Sequence, residues 1–377
     1  MKHLEVTDLR FERGDFSLLA SLELERGLTG VILGPSGCGK TSLLRCIAGL
    51  ERQVGGSIRL GERSMENLPP EKRDIGFIFQ DLALFDHLTG RENIGFGLRM
   101  RKVPKAEAVI ATEAIASKLR IGSLLDRRPF AMSGGEKQRL AFARALATKP
   151  GLLLMDEPLS SLDAPLRREL RAYLRTTLLR EGITALHVTH DVEEALELGD
   201  EIFIMKAGRI LTRGKPRDIH ENPPDAWCVR FLGLGNLLPI LGMNSPEGSS
   251  GFIAVSTPHG RLACPADSCK TTGEPRAAHF FIPRGAAVLA SGAESETTTN
   301  LLQATVERVV FQGNFQRLIL RLKVFKDRAE KMRDPDAKAE YEGLMELEVD
   351  LSSNVIPGEG VRIAVRPEKC RILPELS

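Results

Sequence analysis

Gly34, Pro35, Ser36, Gly37, Cys38, Gly39, Lys40 and Thr41 fit the spacing G-x-x-x-x-G-K-[ST] at every fixed position. A glycine-rich turn lets backbone N–H groups converge on an anion, because a Cβ would block either the phosphates or the positive-φ turns. Lys40 then reaches the β- and γ-phosphates of a nucleoside triphosphate, the Thr41 hydroxyl is a ligand for Mg²⁺, and Ser42 continues the lining of the site. Downstream, residues 152–158 read as an apolar run ending in Asp156, Glu157 and Pro158. Side chains alternate along a strand, so the two carboxylates cannot share a role. Asp156 can hold Mg²⁺ through water, while Glu157 points to where an attacking water would sit and can act as its general base. A second turn, Ser133, Gly134, Gly135 and Glu136, precedes a strong helix pattern and forms another anion-seeking helix N-terminus.

These groups need rigid elements behind them. Residues 31–33 read as a short buried strand and residues 42–50 as a helix with Leu43, Leu44, Ile47 and Ala48 on one face. Apolar runs at 75–79, 152–155, 185–188 and 202–205 alternate with helical patterns, which predicts an α/β nucleotide-binding domain over about residues 1–232. After Pro223, Pro224 and the Gly233 to Asn236 segment the texture changes to short alternating runs with frequent Gly and Pro, predicting a small β-barrel or sandwich over 236–377. A charge-dense stretch at about 325–345 reads as an insertion between strands of that second domain. Two segments in it, Phe281 to Arg284 and Val365 to Glu368, look like degraded copies of one another.

At 377 residues the chain predicts two or three domains rather than one. A net charge of +2 gives no global electrostatic case for nucleic acid or a membrane surface. No run approaches a spanning helix and the N-terminal residues lack a signal peptide's apolar core, so a cytoplasmic location is expected. The six cysteines show no zinc-like pairing, and reduced thiols are expected.

The order of these motifs resembles the ATPase subunits of ATP-binding cassette transporters over residues 4–232, with an α/β phosphate-loop fold and a helical subdomain at about 85–150. The resemblance implies a head-to-tail homodimer holding two ATP and Mg²⁺, in which Ser133, Gly134 and Gly135 of one copy cover the γ-phosphate held by the other. It implies that Gln80 touches the metal and water and senses a membrane permease, whose short helix docks on residues 80–88. Ser160 to Asp163 corresponds to the loop linking the two ATP sites, with Ser161 and Asp163 as its key positions. His190 corresponds to a switch histidine on the γ-phosphate, whereas His187, within its strand, reads as structural. An aromatic that stacks on adenine falls at Phe11, with Phe16 the alternative. Glu136 departs from the glutamine common at that place and puts an extra negative charge near the dimer seam.

The tail residues Gly235 to Pro239, 306–313 and Val365 to Glu368 resemble the C-terminal OB-like domain of bacterial importer ATPases for maltose, iron, sulfate, molybdate and polyamines. That implies a peripheral protein on the cytoplasmic side of the inner membrane, an indirect external solute-binding partner and no nucleic acid. The competing readings are a soluble cassette ATPase acting on ribosomes or DNA, against which the span from Lys40 to Met132 holds no sustained heptads, and a regulatory module that only binds ATP.

Overall fold

The computed structural model describes residues 2–160, 162–244, 251–269, 278–290, 300–325 and 343–375. The chain divides into two compact units, Met1–Ile219 and His220–Ser377.

The first unit runs β1 (Lys2–Arg13), β2 (Phe16–Glu25), β3 (Thr29–Leu33), α1 (Lys40–Ala48), β4 (Gly55–Leu60), β5 (Arg63–Ser64) and β6 (Ile75–Ile78). It continues through α2 (Gly90–Met100), α3 (Lys105–Lys118), α4 (Gly134–Ala147), β7 (Leu152–Asp156), α5 (Ala164–Glu181), β8 (Ala185–Thr189), α6 (Val192–Leu198), β9 (Glu201–Lys206) and β10 (Arg209–Gly214). Among the described residues these strands form one sheet in the order β5-β4-β1-β2-β10-β9-β3-β8-β7-β6. Every residue of β3, β7 and β8 is buried. Both faces of these strands are covered, which is why their sequences are continuous apolar runs and why they pair in parallel. β2 instead alternates exposed and buried positions, and it pairs antiparallel with β1. The frame therefore sets the C-terminal ends of β3, β7 and β8 side by side, and each hands the chain to a predicted site segment.

The expected helix at 42–50 begins earlier, at Lys40, and stops at Ala48, where Gly49 at φ 78° closes it. α2, α3 and α4 make up the expected helical subdomain. α2 starts on a reciprocal cap, in which the Thr89 side chain accepts from the Glu92 N–H and the Glu92 carboxylate from the Thr89 N–H.

Helix α7 (Pro216–Glu221) spans the division between units, and α8 (Ala226–Leu232) follows. Val229 of α8 packs with Leu234, Phe281 and Leu373, so this helix joins the second unit ahead of the boundary expected near 232. The strands β11 (Gly235–Pro239), β12 (Gly242–Asn244), β13 (Phe252–Thr257), β14 (Gly260–Pro265), β15 (Ala278–Pro283) and β16 (Ala287–Leu289) come next. They are followed by β17 (Asn300–Phe311), β18 (Gln316–Leu322), β19 (Leu344–Val349), β20 (Gly360–Val365) and β21 (Arg371–Pro374). Among the described residues they form sheets β11-β15-β21, β12-β13-β14 and β16-β20-β17-β18-β19 around one apolar core that includes Val255, Phe280, Leu318 and Ile363. This is the OB-like all-β unit expected after the ATPase domain. Residues 326–342 of the expected charged insertion lie outside the described residues, and the strands on either side, β18 and β19, pair antiparallel. The two segments that look like copies end β15 and β20, which belong to different sheets.

Candidate functional site

The loop between β3 and α1 is pressed against its surroundings. A Cβ at Gly34 would lie 2.2 Å from the Met205 carbonyl oxygen, and Gly39 has φ 105° with the Phe16 ring at its back. Lys40 is 5% exposed, and its Nζ donates to the carbonyls of Gly34 (2.8 Å) and Pro35 (3.0 Å). Gly39 has no side chain to cap α1, so the helix N-terminus presents backbone N–H groups to an anion. Cys38 faces inward into the core, where burial pushes its thiol up from the ordinary range.

Thr41 Oγ1 donates to Asp156 Oδ1 at 2.8 Å, joining the first turn of α1 to the end of β7. Burial raises the Asp156 carboxyl above its ordinary range, and the Thr41 hydrogen bond opposes that. One residue on, Glu157 takes φ 43°, a strained value for a non-glycine residue. Its N–H donates to Val188 O at 3.1 Å, and its carbonyl accepts from Ser160 N–H and Ser160 Oγ. The twist turns the Glu157 side chain between two groups: Oε2 lies 3.0 Å from His190 Nδ1 and Oε1 lies 3.8 Å from Lys40 Nζ. Gln80 follows β6 and joins Ser36, Gly37, Thr41, Ser42 and Glu157 around one open cavity of about 430 Å³.

Arg13 and Phe16 complete that lining, and Phe11, the aromatic expected against adenine, is not part of it. Phe11 is 7% exposed, sits in the core beside β2 and α1, and carries the Arg13 guanidinium over its ring at 5.4 Å. A ring this buried offers little surface to a base. The β1 to β2 turn instead delivers Phe16 to the loop.

Ser133, Gly134, Gly135 and Glu136 do not line this cavity. They start α4 on a reciprocal cap: Ser133 Oγ accepts from the Glu136 N–H at 3.3 Å and Glu136 Oε2 from the Ser133 N–H at 2.7 Å. Glu136 also lies 3.2 Å from Arg127. The Ser133 N–H holds its carboxyl below the ordinary range, with Arg127 adding to the effect. The charge that reads as a loose addition to a dimer seam is therefore engaged in helix capping.

His187 is buried with its Nε2 3.1 Å from Glu194 Oε2, the structural role its strand position predicts. Asp163 stands at the N-cap of α5, and Ser161 lies outside the described residues. Three positioning residues were not foreseen. Buried Gln138 donates to Pro158 O and ties α4 to the segment after Glu157. Buried Asn93 bonds the backbone of Phe85, Leu88 and Thr89, while Arg144 holds the carbonyls of Leu82 and Ala83. The signal available for Gln138 and Asn93 was an uncharged polar residue on an otherwise apolar helical face. A larger cavity of about 930 Å³ beside α3 holds none of the phosphate-seeking groups, so chemistry rather than size selects the site.

A strand, an N–H-rich loop, a lysine, a hydroxyl on a buried aspartate and a glutamate held against a histidine define a phosphate-loop nucleoside triphosphatase. The comparisons narrow the class. Residues 19–160 match the family model for "ABC transporter". The chain is 43% identical over 248 residues to the Fe(3+) ions import ATP-binding protein of Brucella abortus, covering 65% of this chain and 70% of that one. It is 37% identical over 329 residues to the spermidine/putrescine import ATP-binding protein of Thermotoga maritima, covering 85% and 88%. A solved dimeric ATP-binding cassette in a post-hydrolysis state, bound to ADP and Pi, matches with TM-score 0.50 and 26% identity over 57% of this chain and 99% of that one. This chain belongs to the ABC transporter family, among the ATP-binding subunits of importers, and is an ATP-hydrolysing enzyme.

Proposed function

We propose that two copies of this chain pair head to tail and hydrolyse ATP at two shared sites, each made from the phosphate loop of one copy and Ser133, Gly134 and Gly135 of the other. The observation that carries this reading is the incomplete pocket: Lys40, Thr41, Gln80 and Glu157 line one cavity, and the second anion-seeking turn is absent from it. The solved dimer with ADP and Pi supports pairing as the working arrangement.

Within each site Lys40 and the loop N–H groups hold the β- and γ-phosphates, and Ser36, Gly37 and Ser42 follow their contour. Phe16, with Arg13 beside it, takes the place against the base. Thr41, Asp156 and Gln80 offer oxygen donors that suit Mg²⁺. When bound, Mg²⁺ supplies neutralisation of phosphate charge. Glu157 takes a proton from the attacking water, and its strained backbone and contact with His190 fix its direction. The dimer closes on ATP and loosens after hydrolysis, a bistable interface biased by its ligand.

The cycle moves a membrane permease that docks on residues 80–88, with the protein peripheral on the cytoplasmic face. No helix among the described residues is long and apolar enough to cross a membrane. Leu82 and Ala83 hold positive φ, and Asn93 and Arg144 brace the segment, which supports a preformed socket. The relatives named for Fe(3+) ions and for spermidine/putrescine support a solute of that kind, delivered by an external binding protein. Glu157→Gln tests the catalytic assignment: ATP turnover falls about 10²- to 10⁴-fold while ATP binding persists. Near-normal turnover removes Glu157 from the base role.

A further inference from the structure

The segment after Glu157 and the Glu157–His190 pair are joined inside one chain by Ser160, which bonds the Glu157 carbonyl, and by Arg167, which reaches the residue after His190. Arg167 lies on the first turn of α5. Its Nη2 donates to the carbonyls of Leu162 (2.7 Å) and Ser160 (3.4 Å), and its Nη1 lies 3.6 Å from Asp191 Oδ2. Asp191 is the residue after His190. Its N–H donates to Thr189 Oγ1 at 2.9 Å, and its Oδ1 accepts from Glu194 N–H at 3.1 Å, capping α6. His190 in turn meets Glu157, and Glu157 O accepts from Ser160. The contacts close a ring: Glu157, Ser160, Arg167, Asp191, His190 and back to Glu157.

We propose that Arg167 is a positioning residue that couples the carbonyls of Ser160 and Leu162 to the direction of His190 and Glu157, so that the placement of those carbonyls sets the geometry of the hydrolytic pair in the same chain. The inference rests on the proposed roles of Glu157, His190 and the loop. Its chemistry follows from the guanidinium: two carbonyls and a carboxylate are addressed at once by a planar fork, which an ammonium cannot reproduce. The two carbonyls lie on the loop and the carboxylate on the histidine's segment, so a shift of the loop drags or releases Asp191. Arg171 approaches Asp191 at 3.9 Å but also meets Glu193 and Glu197, so it anchors the carboxylate without reaching the loop carbonyls. Thr189 joins Asp191 from β8, and no further charged group is needed to close the ring.

The test is steady-state ATP hydrolysis by full-length Arg167→Gln, Arg167→Lys, Asp191→Asn and the Arg167→Gln/Asp191→Asn double variant, with thermal midpoints alongside. Asparagine keeps the cap on α6 and removes the charge facing Arg167. The expected result is a kcat lowered about 10- to 100-fold in each single variant with ATP KM changed less than about twofold, as misplacement of reacting groups produces. The double variant is no slower than the worse single one, because one link is being broken twice. Multiplying losses in the double variant, or wild-type kcat in folded Arg167→Gln or Arg167→Lys, overturns the coupling. A loss of thermal midpoint with unchanged kcat per folded enzyme assigns Arg167 a structural role and overturns it too. If Glu157→Gln abolishes turnover while the Arg167 variants behave as wild type, the link alone fails. If Glu157→Gln turns over normally, the catalytic reading beneath it fails.

Discussion

Asp156 shows what the site costs the fold. Its carboxyl is 3% exposed and raised by burial, so the folded chain holds a proton there more tightly than the unfolded chain does. Stability from this group is thus fully present below the unfolded pKa and declines as pH rises towards the folded one. At neutral pH the ionised form is a net cost to folding, one that the proposed metal-binding role of Asp156 would account for. Asp156→Asn keeps the acceptor for Thr41 and removes the buried charge. Differential scanning calorimetry of the nucleotide-free variant at pH 7 should show a higher Tm, each kcal/mol gained raising it by about 2–4 °C, while ATP turnover is lost. The convergence of these side chains was legible residue by residue, since Lys40, Thr41, Asp156, Glu157 and His190 carry the spacing of their motifs and meet in the structure. That Phe11 packs in the core while Phe16 lines the cavity was not legible, because an aromatic that packs and one that lines a site have the same one-letter signature. Only the path of the β1 to β2 turn distinguishes them.

The elements were read well where both faces are buried and less well where polar side chains do the holding. β3, β7 and β8 announce themselves as apolar runs. The segment after Gln80 does not, because its shape comes from side-chain bonds to nearby Asn93 and distant Arg144 rather than from local propensity. Asn93 is fully buried and satisfies backbone groups of Phe85, Leu88 and Thr89. Removing it strands the Phe85 N–H and the Leu88 carbonyl at about 1–3 kcal/mol each, while the Phe85 and Thr89 carbonyls keep the N–H groups of Leu88 and Asn93. Hydrogen exchange of Asn93→Ala should therefore rise sharply at residues 82–89, with the amides of β3, β7 and β8 protected as before; uniform loss of protection would mean the whole unit depends on this bond network. At α4, Glu136→Gln preserves the cap acceptor and gives up only a half-exposed ion pair with Arg127. Its thermal midpoint should stay within about 2 °C of wild type, since such pairs contribute little.

At the scale of the whole molecule, among the described residues, the phosphate-loop residues line a cavity and a second anion-seeking turn, at α4, lies outside that lining. The division into an α/β unit and a β unit was legible from the change in texture after Pro223 and Pro224. The assignment of α8 was not, because its apolar residues are claimed by Phe281 and Leu373, far along the sequence. The central claim is that each ATP site is shared between two copies, and mixing two inactive variants tests it most directly. Lys40→Ala removes the phosphate-loop lysine, and Ser133→Arg blocks the exposed start of α4. In a head-to-tail mixed dimer both lesions fall in one site and the other is intact, so nucleotide trapping measured with radiolabelled ATP should appear in the mixture and be absent from either variant alone. A mixture as inactive as its components would place both turns in the same copy's site and contradict the account.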